Sequence, residues 1–133
     1  MTGDPNVELL EQIYAEWAHG DFTRNDLFAT DVEFVTDFPE RVTYHGHEGL
    51  QRGWFDFLSA WENFKVDLEK IVPAGDDRYV VLVHLSGRGR ESGVPIEGDG
   101  ANTVEFRDGK IAYFAVLWER QQALAWGGVS GDA

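Results

Sequence analysis

The hydrophobic pattern is mainly helical before about residue 60 and alternating after it, and that change restricts the fold more than any single motif. Before it, apolar residues fall at helical spacing. Val7, Leu10, Tyr14 and Trp17 form one such face, and Leu50, Trp54, Phe57, Leu58 and Trp61 form another. After it, apolar and polar residues alternate, as in Phe64, Val66 and Leu68 against Lys65, Asp67 and Glu69. The first helix is predicted to open at Asp4-Pro5, a cap followed by a first-turn proline, and to stop at Gly20-Asp21. A short second helix is predicted over 24–29, a strand over 32–37, a short strand over 42–44 and a helix from His47 to about Ala60. Strands follow over 64–72, 79–85, 102–107 and 110–118, with Gly87 to Gly100 as the irregular end of a hairpin. Asp108-Gly109 is a hairpin turn, and a last short helix is expected from Glu119 to Trp126. Helices gathered early and strands gathered late mean α+β, not alternating α/β. No repeat or linker divides the chain, so residues 1–133 are expected to form one domain, ordered over about 5–127.

Charge removes several function classes. A net charge of −13 repels nucleic acid and anionic membranes, so neither is an expected partner. Without cysteine there are no disulfides, no thiolate chemistry and no cysteine-based zinc site. His45-x-His47 lacks supporting ligands, and no motif calls for a metal or a cofactor. The start, MTGDPNVELL, is not a signal peptide, and no stretch approaches a membrane span, so the expected location is cytoplasmic. The aromatic content, 14% with five Trp and nine Phe, fits either a well-filled core or the wall of an apolar cavity.

Three stretches carry a resemblance to a known family. They are HGDFTRNDLFATDVEFVTDFPE, TYHGHEGLQRGWFDFLSAWENFKV and FRDGKIAYFAVLWERQQAL, in that order. Their order and spacing resemble the nuclear-transport-factor-2-like (NTF2-like) superfamily, which includes SnoaL-like polyketide cyclases and ketosteroid isomerase. The resemblance implies a cone-shaped, cystatin-like α+β barrel fold. Three N-terminal helices would pack in a strongly curved, mostly antiparallel sheet. It says little about reaction, because this fold hosts enzymes, binders and oligomerisation modules.

Matching the chain to ketosteroid isomerase by its turns puts the even-numbered strand residues inside the cone. The implied lining is then Phe34 and Thr36, Leu82, His84 and Ser86, Asn102 and Val104, and Phe114, Val116 and Trp118. Tyr14, Trp17, Trp54, Phe57 and Leu58 would close it from the helices. In the isomerase pattern the general-base position falls here on Thr36, with Asp37 next to it, and the oxyanion-hole position falls on Asn102. Asp37 would enter the cone only if its strand bulged by one residue. His84 can exchange a proton near neutral pH, so His84 and Asp37 become the candidate acid/base pair, with Asn102 holding an enolate oxygen.

Three functions follow as expectations. One is a cofactor-independent isomerase, cyclase or hydrolase acting on a small hydrophobic carbonyl compound. A second is a non-catalytic carrier of a small hydrophobic molecule. The third is an interaction module whose cone is filled by its own aromatic side chains. The strand 110–118 is apolar on both faces, so a homodimer through the outer face of the sheet is also expected.

Overall fold

The computed structural model describes residues 4–22, 26–37 and 41–128. Helix α1 spans Pro5–Ala18. Strands β1 (Phe28–Asp37) and β2 (Arg41–His45) lead into helix α2 (Gly46–Leu58). Strands β3 (Trp61–Pro73), β4 (Arg78–Gly89), β5 (Pro95–Arg107) and β6 (Lys110–Leu117) follow, and helix α3 (Arg120–Gly127) comes last.

The ends of α1 form as the sequence dictates. The Asp4 side chain accepts from the Asn6 amide at 2.9 Å, which satisfies one of the open donors of the first turn. Gly20 follows the helix at φ +83°, a conformation that costs glycine little. Between β5 and β6, Asp108 and Gly109 both have positive φ, as a two-residue hairpin twisted like its strands requires.

One six-stranded sheet runs β2-β1-β6-β5-β4-β3. Every neighbouring pair is antiparallel except β1 with β6, which is parallel. The three helices are not all N-terminal, which corrects the expected arrangement. Asp26 and Leu27 form a turn and Phe28 already belongs to β1, so the short helix expected over 24–29 is absent there; residues 23–25 lie outside the described residues. The third helix is the C-terminal one. Trp61 likewise belongs to β3, since α2 ends at Leu58.

Two apolar clusters lie on opposite sides of the sheet. On the concave side, Leu10, Ile13, Tyr14 and Trp17 of α1 and Leu50, Trp54 and Phe57 of α2 meet inward residues of the strands. On the convex side, Val80, Leu82, Ala101, Ala115 and Leu117 are packed by Ala123 and Leu124 of α3, with Trp126 stacked on Tyr113 at 5.9 Å. The cover expected from a second copy is thus supplied, over these residues, by the chain's own last helix.

Arg120 fixes that helix in place. Its guanidinium donates to the Val83 and Gly100 carbonyls at 3.0 and 3.1 Å and meets Glu69 at 2.7 Å. No helix among the described residues is long and apolar enough to cross a membrane.

Candidate functional site

Register decides which strand residues can share a site. In antiparallel pairs, residues directly opposite each other point to the same face. Asn102 of β5 pairs with Val116 of β6, so the inward residues around it are even-numbered on both strands, until a register shift brings Ile111 inward opposite Phe106. Asn102 also pairs with Val81 of β4, so the inward set on β4 is odd-numbered: Tyr79, Val81, Val83 and Leu85. Leu82, His84 and Ser86 therefore face outward, against the expectation. The pairing across the β4–β5 hairpin, not the match to a related fold, sets the parity of β4. The apolar pattern held the signal, since the odd set is unbroken and the even set is interrupted at His84 and Ser86.

The three expected catalytic residues do not converge. Asn102 is inside and almost fully buried. Its side-chain oxygen accepts a short hydrogen bond from the Tyr14 hydroxyl, and its amide donates to the Ala115 carbonyl at 3.4 Å. Burial pushes the Tyr14 hydroxyl well above the ordinary tyrosine range, so this pair stays neutral.

His84 lies across the sheet, with Nε2 at 2.9 Å from Glu97 and Nδ1 at 3.1 Å from Asp99. Hydrogen bonds to Glu97 first, and then to Asp99, raise its pKa above the usual histidine value. Asp37 sits at the end of β1, where Thr36 pairs with Val42 and Asp37 with Arg41 without a shift. With no bulge there, Asp37 shares the outward parity of Val35, and its carboxylate meets Arg41 at 3.5 Å.

The rest of the expected lining is mostly core. Tyr14, Trp17, Phe34, Trp54, Phe57, Val104, Phe114 and Val116 belong to the concave cluster, with Leu58 and Trp118 packed against it. Their rings fill the cone. Trp17 touches Trp54 and Phe114 at centroid distances of 5.1 and 5.3 Å, and Phe34 touches Trp54 at 5.0 Å. Such spacings are those of packed aromatic pairs.

Open space lies instead at the wide end of the cone. A cavity of about 540 Å³ is bounded by Thr36 of β1, Val42 and Tyr44 of β2, Asp56 and Phe57 near the end of α2, Ser59 and Ala60 after it, and Trp61 of β3. The β4–β5 hairpin (Gly89 to Ser92) and Ile96 close its far side. Of the expected site residues, only Thr36 and Phe57 border it. Arg90 ties the hairpin to α2: its amide and side chain donate to the carbonyls of Ala60, Ser59 and Trp61 at 3.0, 2.9 and 2.9 Å. The charged end of Arg90 thereby meets the negative end of the α2 dipole.

Across the cavity, the Tyr44 hydroxyl donates to Asp56 at 3.3 Å. Burial first, and then the Asp56 charge, raise the Tyr44 pKa. Local sequence pattern could not reveal this site, because its residues come from four separated segments. Asp56 itself gave no signal, because it lies off the apolar face formed by Leu50, Trp54 and Phe57.

Metal-ligand spacing occurs, among the described residues, only at Glu69, His84 and Asp99 on the convex face. The Arg120 guanidinium already meets Glu69 there at 2.7 Å and Asp99 at 4.0 Å. His47, of the His45-x-His47 pair, is bonded through Nε2 to the Phe28 carbonyl at 2.8 Å.

Comparison with known proteins agrees with this architecture. An NTF2-like protein from Burkholderia thailandensis E264 is 23% identical and superposes with a TM-score of 0.77, over 92% of this chain and 98% of that one. TerC, crystallised with polyporic acid, is 18% identical with a TM-score of 0.75, over 94% and 99%. A ketosteroid isomerase-like protein from Catenulispora acidiphila DSM 44928, in complex with trimethylamine, is 20% identical with a TM-score of 0.73, over 95% and 96%. At these identities the likeness is one of fold. No curated protein matches the sequence. The sheet is that of the NTF2-like fold, and the family model for the SnoaL-like domain matches residues 10–114, so the chain belongs to the SnoaL-like domain family.

Proposed function

We propose that this protein binds a small, mostly apolar molecule in the cavity at the wide end of its cone. The observation that carries this reading is the cavity itself. At about 540 Å³ it has the size of a small-molecule site, and Val42, Phe57, Trp61 and Ile96 give it apolar walls beside a few polar groups. That TerC and the Catenulispora protein were both crystallised with small molecules supports a binding role. Binding without chemistry is favoured over the acid/base reading because His84, Asp37 and Asn102 are not within reach of one another. His84 and Asp37 face the convex side, and Asn102 is sealed against Tyr14.

A second reading rests on one contact. Tyr44 and Asp56 form a hydrogen-bonded pair that opens onto the cavity. Asp56 can accept a proton from a bound carbonyl compound, and Tyr44 can support the carboxylate while it does so.

Filling the cavity separates the outcomes. Ile96→Trp should abolish binding of 2-phenylethanol, followed by calorimetry, with little change in the unfolding midpoint. Unchanged binding in that variant would place the ligand elsewhere and reject the proposal. For the second reading, Asp56→Asn should remove any turnover found; turnover that survives it would dismiss that reading.

A further inference from the structure

Granting the binding role just proposed, we infer that the cavity selects an organic cation: a small molecule with an apolar body and a protonated amine or quaternary ammonium head. The argument is an account of which hydrogen-bonding groups around the cavity are already used. Three of its donor side chains are committed; the Ser92 hydroxyl, which accepts from the Val94 amide at 3.2 Å, is not. The Tyr44 hydroxyl donates to Asp56. The Ser59 hydroxyl donates to the Asp56 carbonyl at 2.8 Å. Two guanidinium nitrogens of Arg90 donate to the Ser59 and Trp61 carbonyls. A ligand carbonyl or carboxylate would have to compete for them.

The acceptors are not committed in the same way. Asp56 receives Tyr44 on one oxygen, Oδ2, and Arg52 approaches that same oxygen at 3.7 Å from outside the cavity. Its other oxygen is left for a ligand. Glu91, on the hairpin rim, makes no hydrogen bond or ion pair with the described residues. Two carboxylates therefore border the space against one guanidinium, and that guanidinium is turned onto the carbonyls ending α2.

Aromatic faces add to this preference. Tyr44, Phe57 and Trp61 all border the cavity, and ring faces attract cations. At long range, the net charge of −13 draws cations and repels anions of equal size.

The test compares three probes of similar shape: 2-phenylethylamine, 2-phenylethanol and phenylacetate, titrated calorimetrically at neutral pH and low salt. The amine should bind at least about fivefold tighter than the alcohol, with phenylacetate weakest. Added NaCl should weaken the amine and leave the alcohol unchanged. The preference should shrink towards parity in Glu91→Gln, an exposed change in a loop, and further in Asp56→Asn. Equal affinities for the three probes, or tighter binding of phenylacetate, would overturn the cation inference and leave the binding role standing. If none of the three binds to the wild-type protein, both fall together.

Discussion

At Gly53, two residue-scale effects compete. It lies inside α2, where alanine in place of glycine ordinarily gains about 1 kcal/mol of helix stability. A Cβ there would, however, meet the Phe34 ring at 2.6 and 2.7 Å and the Tyr44 ring at 2.8 Å. Phe34 is fully buried and packed by Trp54 and Phe114, so its ring has no room to retreat. Overpacking of this kind costs about 1–3 kcal/mol and outweighs the propensity gain. Gly53→Ala should therefore lower stability in urea denaturation; a more stable variant would show that Phe34 can move.

His84 makes the second residue-scale case, through pH. Its folded pKa is raised by Glu97 and Asp99, so its contribution is complete below the ordinary histidine value of 6.5 and fades as pH rises through the folded value. The melting-temperature difference between wild type and His84→Gln should be larger at about pH 5.5 than at alkaline pH. Asp4 behaves oppositely. Its carboxylate is held below the usual range by the Tyr79 hydroxyl at 2.5 Å, so that stabilisation is lost on acidification.

Among the elements, α3 closes the convex face through one peg and one stack. Arg120 is the peg, and Trp126 is the stack, held between Tyr113 and the Arg78 guanidinium at 3.9 Å from its ring. Ending the chain after Trp118 should expose Val80, Leu82, Ala101, Ala115 and Leu117 together. The truncated protein should lose several degrees of melting temperature and self-associate at micromolar concentration in light scattering, since apolar patches of this kind seek cover. A truncated chain that stays monomeric would mean α3 is not the cover it looks to be.

The same element shows what sequence can and cannot give. Its position at 119–126, the two long helices and the Asp108-Gly109 hairpin were all legible, because capping, helical period and turn chemistry are local. Parity across the β4–β5 hairpin was not, because it depends on how many residues the loop consumes between Gly89 and Pro95. One residue of register moved Leu82, His84 and Ser86 to the opposite face. The cavity residues Arg90, Glu91 and Ser92 were beyond reach for a related reason: they meet α2 only after the sheet curls.

Seen as one molecule, the protein is a cone filled by aromatics, with a cavity at its mouth bordered by β1, β2, the end of α2 and the β4–β5 hairpin. That arrangement requires the interior and the mouth to respond to mutation independently. Phe114 is fully buried between Trp17, Phe28 and Phe34, at centroid distances of 5.3, 6.3 and 6.1 Å. Cutting it to alanine should cost about 3–5 kcal/mol in chemical denaturation, from lost burial and the void left behind. The void is lined by apolar rings, so it should stay dry and take up benzene. Benzene at saturation should then raise the melting temperature of Phe114→Ala clearly more than that of the wild type. Because Phe114 does not border the mouth cavity, affinity there for 2-phenylethylamine should stay within about twofold of wild type. A large loss of that affinity would show that the filled interior and the mouth form one continuous space, and the ligand would then have to be sought deeper, alongside Tyr14 and Asn102.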